Sequence, residues 1–206
     1  MKLLKDDKLD IMIYDSSDWA GKQLRFSWIT GGKFYKWFRG VEHHAGFSDW
    51  LEAIDWILSV EPNRKINSIQ YWGHGSQGKV WMNGSAMSVR SFVEASEINK
   101  KLNLLKQRLT PESVIWFRCC NVFAGNEGKI FSITSSNFFN CKIAAHTYIV
   151  GPWQSGLHTL KPFQRPSWPV NEGLEVQPDG KIKKLWSTPW APNTVFCLSN
   201  KIPEDW

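Results

Sequence analysis

Short apolar runs separated by polar or glycine-containing turns recur along the first 150 residues of the chain. Runs of this length, rich in β-branched and aromatic side chains, predict buried strands. The strand candidates are residues 9–14 (LDIMIY), 66–72 (INSIQYW), 79–82 (KVWM), 114–117 (VIWF) and 142–150 (KIAAHTYIV). Two further alternating runs flank Gly31-Gly32, so residues 22–40 predict a hairpin insertion.

Apolar side chains at helical spacing lie between several of these strands. One helix is predicted over residues 48–60, beginning at Ser48, and another over residues 126–136, with Ile130 and Ile133 facing inward. A helical region also begins at Ser88 and ends before Pro111. Its predicted buried face consists of Ile98, Leu102, Leu105 and Leu109.

Strands that alternate with helices predict an α/β fold with a mainly parallel central sheet. We assign residues 1–150 to this α/β domain and interpret residues 40–46, which contain His43 and His44, as a loop. Residues 151–206 are rich in proline and lose helical periodicity. They predict a loop-rich C-terminal extension that packs on the same domain and contains a hairpin of residues 174–176 and 181–186.

Composition fits a globular protein whose charge is mildly basic. The chain has 206 residues, 42% of them hydrophobic, and a net charge of +6. Thirteen tryptophans suit core packing and interface anchoring. The charged N-terminal residues and the short apolar runs predict neither a signal peptide nor a membrane span, so a cytoplasmic protein is expected. Basic residues cluster at residues 100–108 and at residues 181–184, which include Lys184, and they predict solvated surfaces rather than a specific nucleic-acid site.

A cysteine and a histidine each follow a predicted strand. His74 comes after the strand of residues 66–72, and Cys120 comes after residues 114–117. An imidazole beside a thiol can activate it as a nucleophile, so Cys120 and His74 are candidate catalytic residues. The backbone N–H groups of Gly75 and Cys120 could hold an oxyanion. The alternative is a buried cysteine and a histidine in a turn.

Metal and cofactor binding are not expected. His74, Cys119, Cys120 and His146 are the metal-ligand residue types near these strand ends, but they lack a recognised ligand spacing. His146 lies within a predicted strand, which is typical of a core histidine whose hydrogen bonds are satisfied.

Two segments resemble the caspase-like cysteine peptidases, a superfamily that includes caspases, metacaspases, gingipains, separase and bacterial caspase-like domains. INSIQYWGHGSQGKVWMNG is similar to their strand–His–Gly–strand element, and ESVIWFRCCNVFAGNEGKIF is similar to the strand that ends in their nucleophile. The resemblance covers residues 64–150. It implies a caspase-like three-layer sandwich with a mainly parallel sheet.

The resemblance also implies roles for the residues around Cys120. In that superfamily a small residue commonly precedes the nucleophile, which favours Cys120 and leaves Cys119 as the alternative nucleophile. Arg118 then occupies the position that lines the primary specificity pocket. A guanidinium there implies a substrate with an acidic or free-carboxylate group. Alternatively, Arg118 pairs with Asp15 or Asp18, which follow the first strand and are candidates at the same site.

The loop that follows the last clear strand builds one wall of the substrate groove in the resembled fold. Trp153 would supply an apolar wall, Gln154 and Ser155 polar contacts, and His158 a supporting contact. The alternative is a surface turn.

The resulting prediction is a cysteine hydrolase that cleaves a peptide or other amide bond next to an acidic or free-carboxylate group. Its expected substrate is a peptide or protein, with no cofactor and no membrane involved. Two alternatives stay open. One is a catalytically inactive caspase-like binding or scaffold module that uses its tryptophan-rich surface. The other is an amidase or transferase that uses the same dyad on a non-peptide substrate.

Overall fold

The computed structural model describes residues 8–17, 41–199, 201–203 and 206. The predicted hairpin at residues 22–40 lies outside the described residues, as does Asp18. The described helices are α1 (Trp50–Ser59), α2 (Val89–Val93), α3 (Glu97–Lys106) and α4 (Gly125–Phe139). The strands are β1 (Lys8–Asp15), β2 (His43–Phe47), β3 (Lys65–Trp72), β4 (His74–Ser76), β5 (Lys79–Met82), β6 (Ser85–Ser88), β7 (Val114–Arg118), β8 (Lys142–His146), β9 (Trp153–Gln154), β10 (Leu157–Leu160), β11 (Leu174–Val176), β12 (Ile182–Lys184) and β13 (Val195–Phe196).

Six strands form a central sheet in the order β10-β8-β7-β3-β1-β2. The five strands from β8 to β2 are parallel, and β10 pairs antiparallel with β8. The expected mixed α/β fold with a mainly parallel sheet is therefore confirmed. Because β10 spans Leu157–Leu160, the sheet continues past residue 150, where the sequence pattern predicts the end of the α/β core.

The side chains of the central strands alternate between the two faces of the sheet. On β7, Ile115 and Phe117 face the helices, whereas Trp116 and Arg118 face the opposite side. All four described helices contribute to the apolar cluster on the first of these faces, which we call the helix face.

The opposite side, which we call the second face, is covered by two separate and smaller apolar clusters. One cluster contains Met12, Val41 and Trp72, with Leu198 packed against it. A second cluster contains Trp116, Ala144, Leu157 and Val195, with Ile202 and Trp206 packed against it. Chain from the C-terminal extension therefore closes part of the sheet. Both faces need cover because parallel strands are normally buried on both sides.

Several local predictions were wrong. Residues 43–47 form strand β2 instead of a loop, because they pair in register with β1. The first helix is capped by Asp49, whose carboxylate accepts from two backbone N–H groups, and not by Ser48. The helical region predicted from Ser88 divides into two helices, the second capped by Ser96, and it ends at Lys106 rather than just before Pro111.

The orientation of α4 was predicted correctly only in part. Ile133 packs against the core, but Ile130 is 53% exposed. Phe131, the next residue, is fully buried in its place. The later hairpin was predicted correctly, because β11 pairs antiparallel with β12 around the turn at Pro178.

Candidate functional site

The ends of β3 and β7 bring the two predicted catalytic segments together. These strands are parallel neighbours, and their last paired residues are Trp72 and Arg118. His74 and Cys120 each lie two residues beyond that pair. Because neighbouring strands lie about 4.8 Å apart, both segments leave the same edge of the sheet side by side.

Gly75 is in close contact with the cysteine segment. A Cβ atom at this position would lie 2.6 Å from the carbonyl oxygen of Cys120 and 2.8 Å from the Cβ of Cys119. No real side chain tolerates contacts this short with a backbone atom, so the approach of the two segments depends on glycine.

The backbone N–H groups of Gly75 and Cys120 have no acceptor in the ladders around them. Ser76 and Lys79 close the two-residue hairpin between β4 and β5, so Gly75 opposite Val80 is a non-hydrogen-bonded pair. Its N–H therefore points away from β5. Within the described part of the chain, the N–H of Cys120 donates to no backbone carbonyl.

The two adjacent thiols have different environments. Cys119 is fully buried among the residues of the helix face, and its Sγ lies 3.9 Å from the carbonyl oxygen of Tyr71. Burial raises the pKa of the Cys119 thiol well above its ordinary value. Cys120 is partly exposed. Burial raises its pKa too, whereas the N–H of Val150 and the ammonium of Lys184 act in the opposite direction.

His74 is held in its neutral form at neutral pH. Burial lowers the pKa of its imidazole below 6.5, and the charge of Asp15 offsets part of that shift. Asp15 is buried and accepts from the N–H groups of Ser17 (2.9 Å) and Asn83 (3.2 Å). His74 is not among the groups that shift the pKa of Cys120.

Arg118 does not present a free guanidinium to a substrate. Its Nε and Nη2 donate to the Gln154 side-chain oxygen at 3.0 and 2.7 Å. Its Nη1 donates to the side-chain oxygen of Gln70 and the carbonyl of Ser199, and its Nη2 also donates to the carbonyl of Cys197. These bonds use all five N–H donors of a guanidinium.

The surroundings of Arg118 explain why it is buried. Its guanidinium lies between the rings of Trp72 and Trp116, 4.5 and 4.0 Å from their centroids, and the residue is 2% exposed. We expected the guanidinium to bind a substrate carboxylate or the carboxylate of Asp15. It binds neutral amide and carbonyl oxygens instead. Arg118 joins β7 to the C-terminal extension.

The four residues expected to line a groove differ in their exposure and in their hydrogen-bond partners. Trp153 is 40% exposed and packs edge-to-face on Phe196, as an apolar wall requires. The side-chain oxygen of Gln154 accepts from Arg118 and is not available to a ligand. Ser155 is fully buried, and its hydroxyl donates to the carbonyl of Thr188. Of the four, only Trp153 is suited to contact a ligand.

His158 forms a separate cluster with Glu172 and Trp168. Its Nε2 lies 2.7 Å from a carboxylate oxygen of Glu172, and its ring stacks on Trp168. The expected supporting contact to the catalytic segments is therefore replaced by a contact within the C-terminal extension.

Asn121, which the sequence pattern did not single out, fixes the turn that carries Cys120. Asn121 adopts a left-handed backbone conformation with φ of 55°. Its N–H donates to the carbonyl of Tyr148 (3.0 Å), and its Nδ2 donates to the carbonyl of Thr147 (2.6 Å). Asparagine tolerates this conformation better than most residues, so its position directly after two cysteines was an available signal.

His146 is a core histidine, as the sequence suggested. Its Nε2 accepts from the indole N–H of Trp116 (3.2 Å), and its Nδ1 donates to the carbonyl of Ser155 (3.2 Å). Burial lowers the pKa of the imidazole to about 3. Both ring nitrogens are therefore used in holding the second face together.

Comparison with known families places the chain in the DUF4347 family, a domain of unknown function. The family model matches residues 43–158, which is more than half of the chain, so the chain belongs to this family. The match includes His74 and Cys120 and ends within strand β10. No curated protein and no solved structure matches the chain.

Two general properties concern the described residues alone. No three of their histidine, cysteine and acidic side chains converge as metal ligands would. None of the helices in residues 41–199 has both the length and the hydrophobicity needed to cross a membrane.

Proposed function

We propose that the chain is a caspase-like cysteine hydrolase that cleaves a peptide or other amide bond, with Cys120 as nucleophile and His74 as base. The observation that supports this most is the contact between their two segments at one edge of a parallel sheet, where Gly75 lies against Cys120. Sites in open parallel sheets form at the carboxyl ends of the strands, which is where this contact occurs.

The pKa directions favour a resting state in which both groups are neutral. Burial keeps the Cys120 thiol protonated and the His74 imidazole unprotonated at neutral pH. A neutral imidazole can accept the thiol proton as the sulfur attacks a carbonyl. The activity therefore resembles general-base catalysis rather than attack by a preformed thiolate.

The proposed reaction has two steps. The Cys120 sulfur bonds to the substrate carbonyl carbon while its proton passes to His74, and the proton then passes to the leaving amine as the C–N bond breaks. Water hydrolyses the resulting thioester, with His74 again moving the proton. The N–H groups of Gly75 and Cys120 would stabilise the oxyanion in both steps, and one such donor is typically worth about 3–4 kcal/mol.

A proteome-derived peptide mixture tests this proposal because it offers many cleavable sequences at once. Wild-type protein should generate new N termini that Cys120→Ala does not generate, whereas the matched variant Cys119→Ala should retain cleavage. His74→Ala should reduce the rate at least a hundredfold. The rate should rise with pH through the lowered pKa of His74, below 6.5, because only the neutral imidazole accepts the proton. Cleavage that persists in Cys120→Ala would contradict the proposal.

The exposed aromatic residues of the extension support a second candidate function, a non-catalytic binding module. Trp186 and Trp190 are 67% and 91% exposed, and tryptophan is a residue that commonly anchors interfaces. In the same experiment, wild-type protein that generates no more termini than Cys120→Ala would favour the binding module.

A further inference from the structure

Three lysines on and beside strand β12 differ in their ionic partners. Lys181 pairs with Asp179 at 2.8 Å, and Lys183 pairs with Glu175 at 3.3 Å. Lys184 has no acidic partner among the described residues, although it belongs to the same hairpin. It is therefore a cation whose charge is not neutralised by a neighbouring carboxylate.

The backbone next to Lys184 is fixed beside the segment that contacts Cys120. The N–H of Leu185 donates to the carbonyl of Gly173, and the N–H of Ile149 donates to the carbonyl of Leu185, both at 2.9 Å. Val150, which follows Ile149, directs its N–H to the thiol of Cys120. The ammonium of Lys184 is close enough to act on the same thiol.

The face of the hairpin that carries Lys184 is apolar and open to solvent. The register pairs Leu174 with Lys184 and Val176 with Ile182, so these four side chains share one face. Val176 and Ile182 are 70% and 57% exposed. This face of the hairpin therefore presents the ammonium of Lys184, which has no paired carboxylate among the described residues, together with the exposed apolar side chains of Val176 and Ile182.

We propose that Lys184, and not Arg118, binds an acidic side chain of the substrate next to the bond that Cys120 attacks, while apolar substrate side chains lie on Val176 and Ile182. This inference rests on the proposed function for the reaction, but the anion site itself is independent of catalysis. The charge of Lys184 acts on the Cys120 thiol, so it also acts on an anionic substrate group beside the sulfur. The N–H donors of Arg118, by contrast, are all engaged.

Two thiol reagents of similar size test the anion site directly. Iodoacetate carries a carboxylate and iodoacetamide carries none, and both react when the thiolate sulfur displaces iodide. The ratio of their rates at Cys120, followed by mass spectrometry, reports attraction of the carboxylate. Any change in the thiol pKa affects both rates equally and cancels from the ratio.

Substitutions of Lys184 should lower this ratio. Lys184→Gln should reduce it about two- to fivefold, as expected for an ion pair near the surface, and Lys184→Glu about tenfold. The matched control Lys183→Gln should leave it unchanged, because that side chain lies on the other face of the hairpin. An unchanged ratio in Lys184→Glu would overturn the anion site.

Peptide acyloxymethyl ketones with aspartate or asparagine at the reacting residue separate this inference from the proposed function. We expect wild-type Cys120 to react faster with the aspartate probe, and Lys184→Glu to lose that preference. Reaction of Cys120 with an aspartate preference that survives in Lys184→Glu would support the hydrolase and overturn the role of Lys184. A Lys184-dependent reagent ratio without reaction of either peptide probe would retain the anion site and count against the hydrolase.

Discussion

The helix face and the second face of the central sheet are closed by different chemistry. On the helix face, buried side chains from the four described helices and from five strands of the central sheet form one continuous apolar cluster, which also includes residues of β5 and β6. On the second face, two small clusters lie on either side of Arg118, which donates to backbone carbonyls of the C-terminal extension. The helix face is held by burial of apolar area, whereas the second face also depends on specific polar contacts.

This difference separates the stable part of the molecule from the part that carries the candidate site. Cys119 belongs to the helix face and is inaccessible, whereas Cys120, its neighbour, is partly exposed, accepts from the N–H of Val150 and feels the charge of Lys184. The continuous apolar cluster of the helix face excludes solvent. The second face is covered only in part by the C-terminal extension, so a ligand can approach the sheet at the edges of that cover. Of two adjacent cysteines, one therefore packs in the core and the other is open to solvent.

Phe131→Ala should have the largest effect on the free energy of unfolding. Phe131 is fully buried on the helix face and contacts the rings of Phe92 and Phe117. Removing a buried aromatic ring costs about 3–5 kcal/mol. Urea denaturation measures this loss, and Ile130→Ala, at an exposed position of the same helix, should change stability by less than about 0.5 kcal/mol.

Arg118→Lys should cost about 2–4 kcal/mol, because a single ammonium cannot replace five directed N–H groups and leaves buried oxygens without donors. The same urea measurement applies. Protection of the amides of residues 195–199 from hydrogen exchange should fall in this variant, because their anchor is lost. A larger loss for Arg118→Lys than for Phe131→Ala would mean that the second face, and not the helix face, dominates stability.

Gly75→Ala should cost about 1–3 kcal/mol, since its Cβ would overlap backbone and side-chain atoms of the cysteine segment. Gly151→Ala is the matched control, because a Cβ there has no neighbour within 4 Å. Thermal unfolding of both variants checks this contact. Equal stability of the two would show that the His74 and Cys120 segments do not touch as closely as described.

Asp15→Asn should have the smallest effect, a shift of the His74 titration to lower pH. The charge of Asp15 favours the protonated imidazole, so removing it adds to the lowering caused by burial. NMR titration of the histidine ring protons measures the shift, with His74→Ala used for assignment. A shift to higher pH would contradict the assigned electrostatics.

The strand ends at His74 and Cys120 could be predicted because a buried parallel strand appears as a compact apolar run followed by a turn. The role of Arg118 could not, because its acceptors at Cys197 and Ser199 are backbone carbonyls 79 and 81 positions away. Every residue has a backbone carbonyl, so the sequence cannot show which one accepts from Arg118. The general preference of a guanidinium for carboxylates therefore led to the prediction of an acidic partner.

Strand β10 was missed for a related reason. Its four residues, LHTL, carry too short a pattern to stand out in a proline-rich region, and it joins the sheet only because Leu157–Leu160 pair with β8. Lys184 was interpreted as part of a solvated charge cluster. Only the folded hairpin shows that Lys181 and Lys183 have acidic partners, whereas Lys184 has none among the residues the structure describes.

The hydrogen bonds of Arg118 to Cys197 and Ser199 can form only after the C-terminal extension has been synthesised. At about 5–20 residues per second, the 79 positions that separate Arg118 from Cys197 take about 4–16 s to synthesise. All of the described helices are complete well before then. During translation, Arg118 and the two tryptophans that flank it therefore stay without their C-terminal covering for several seconds after the helices are complete.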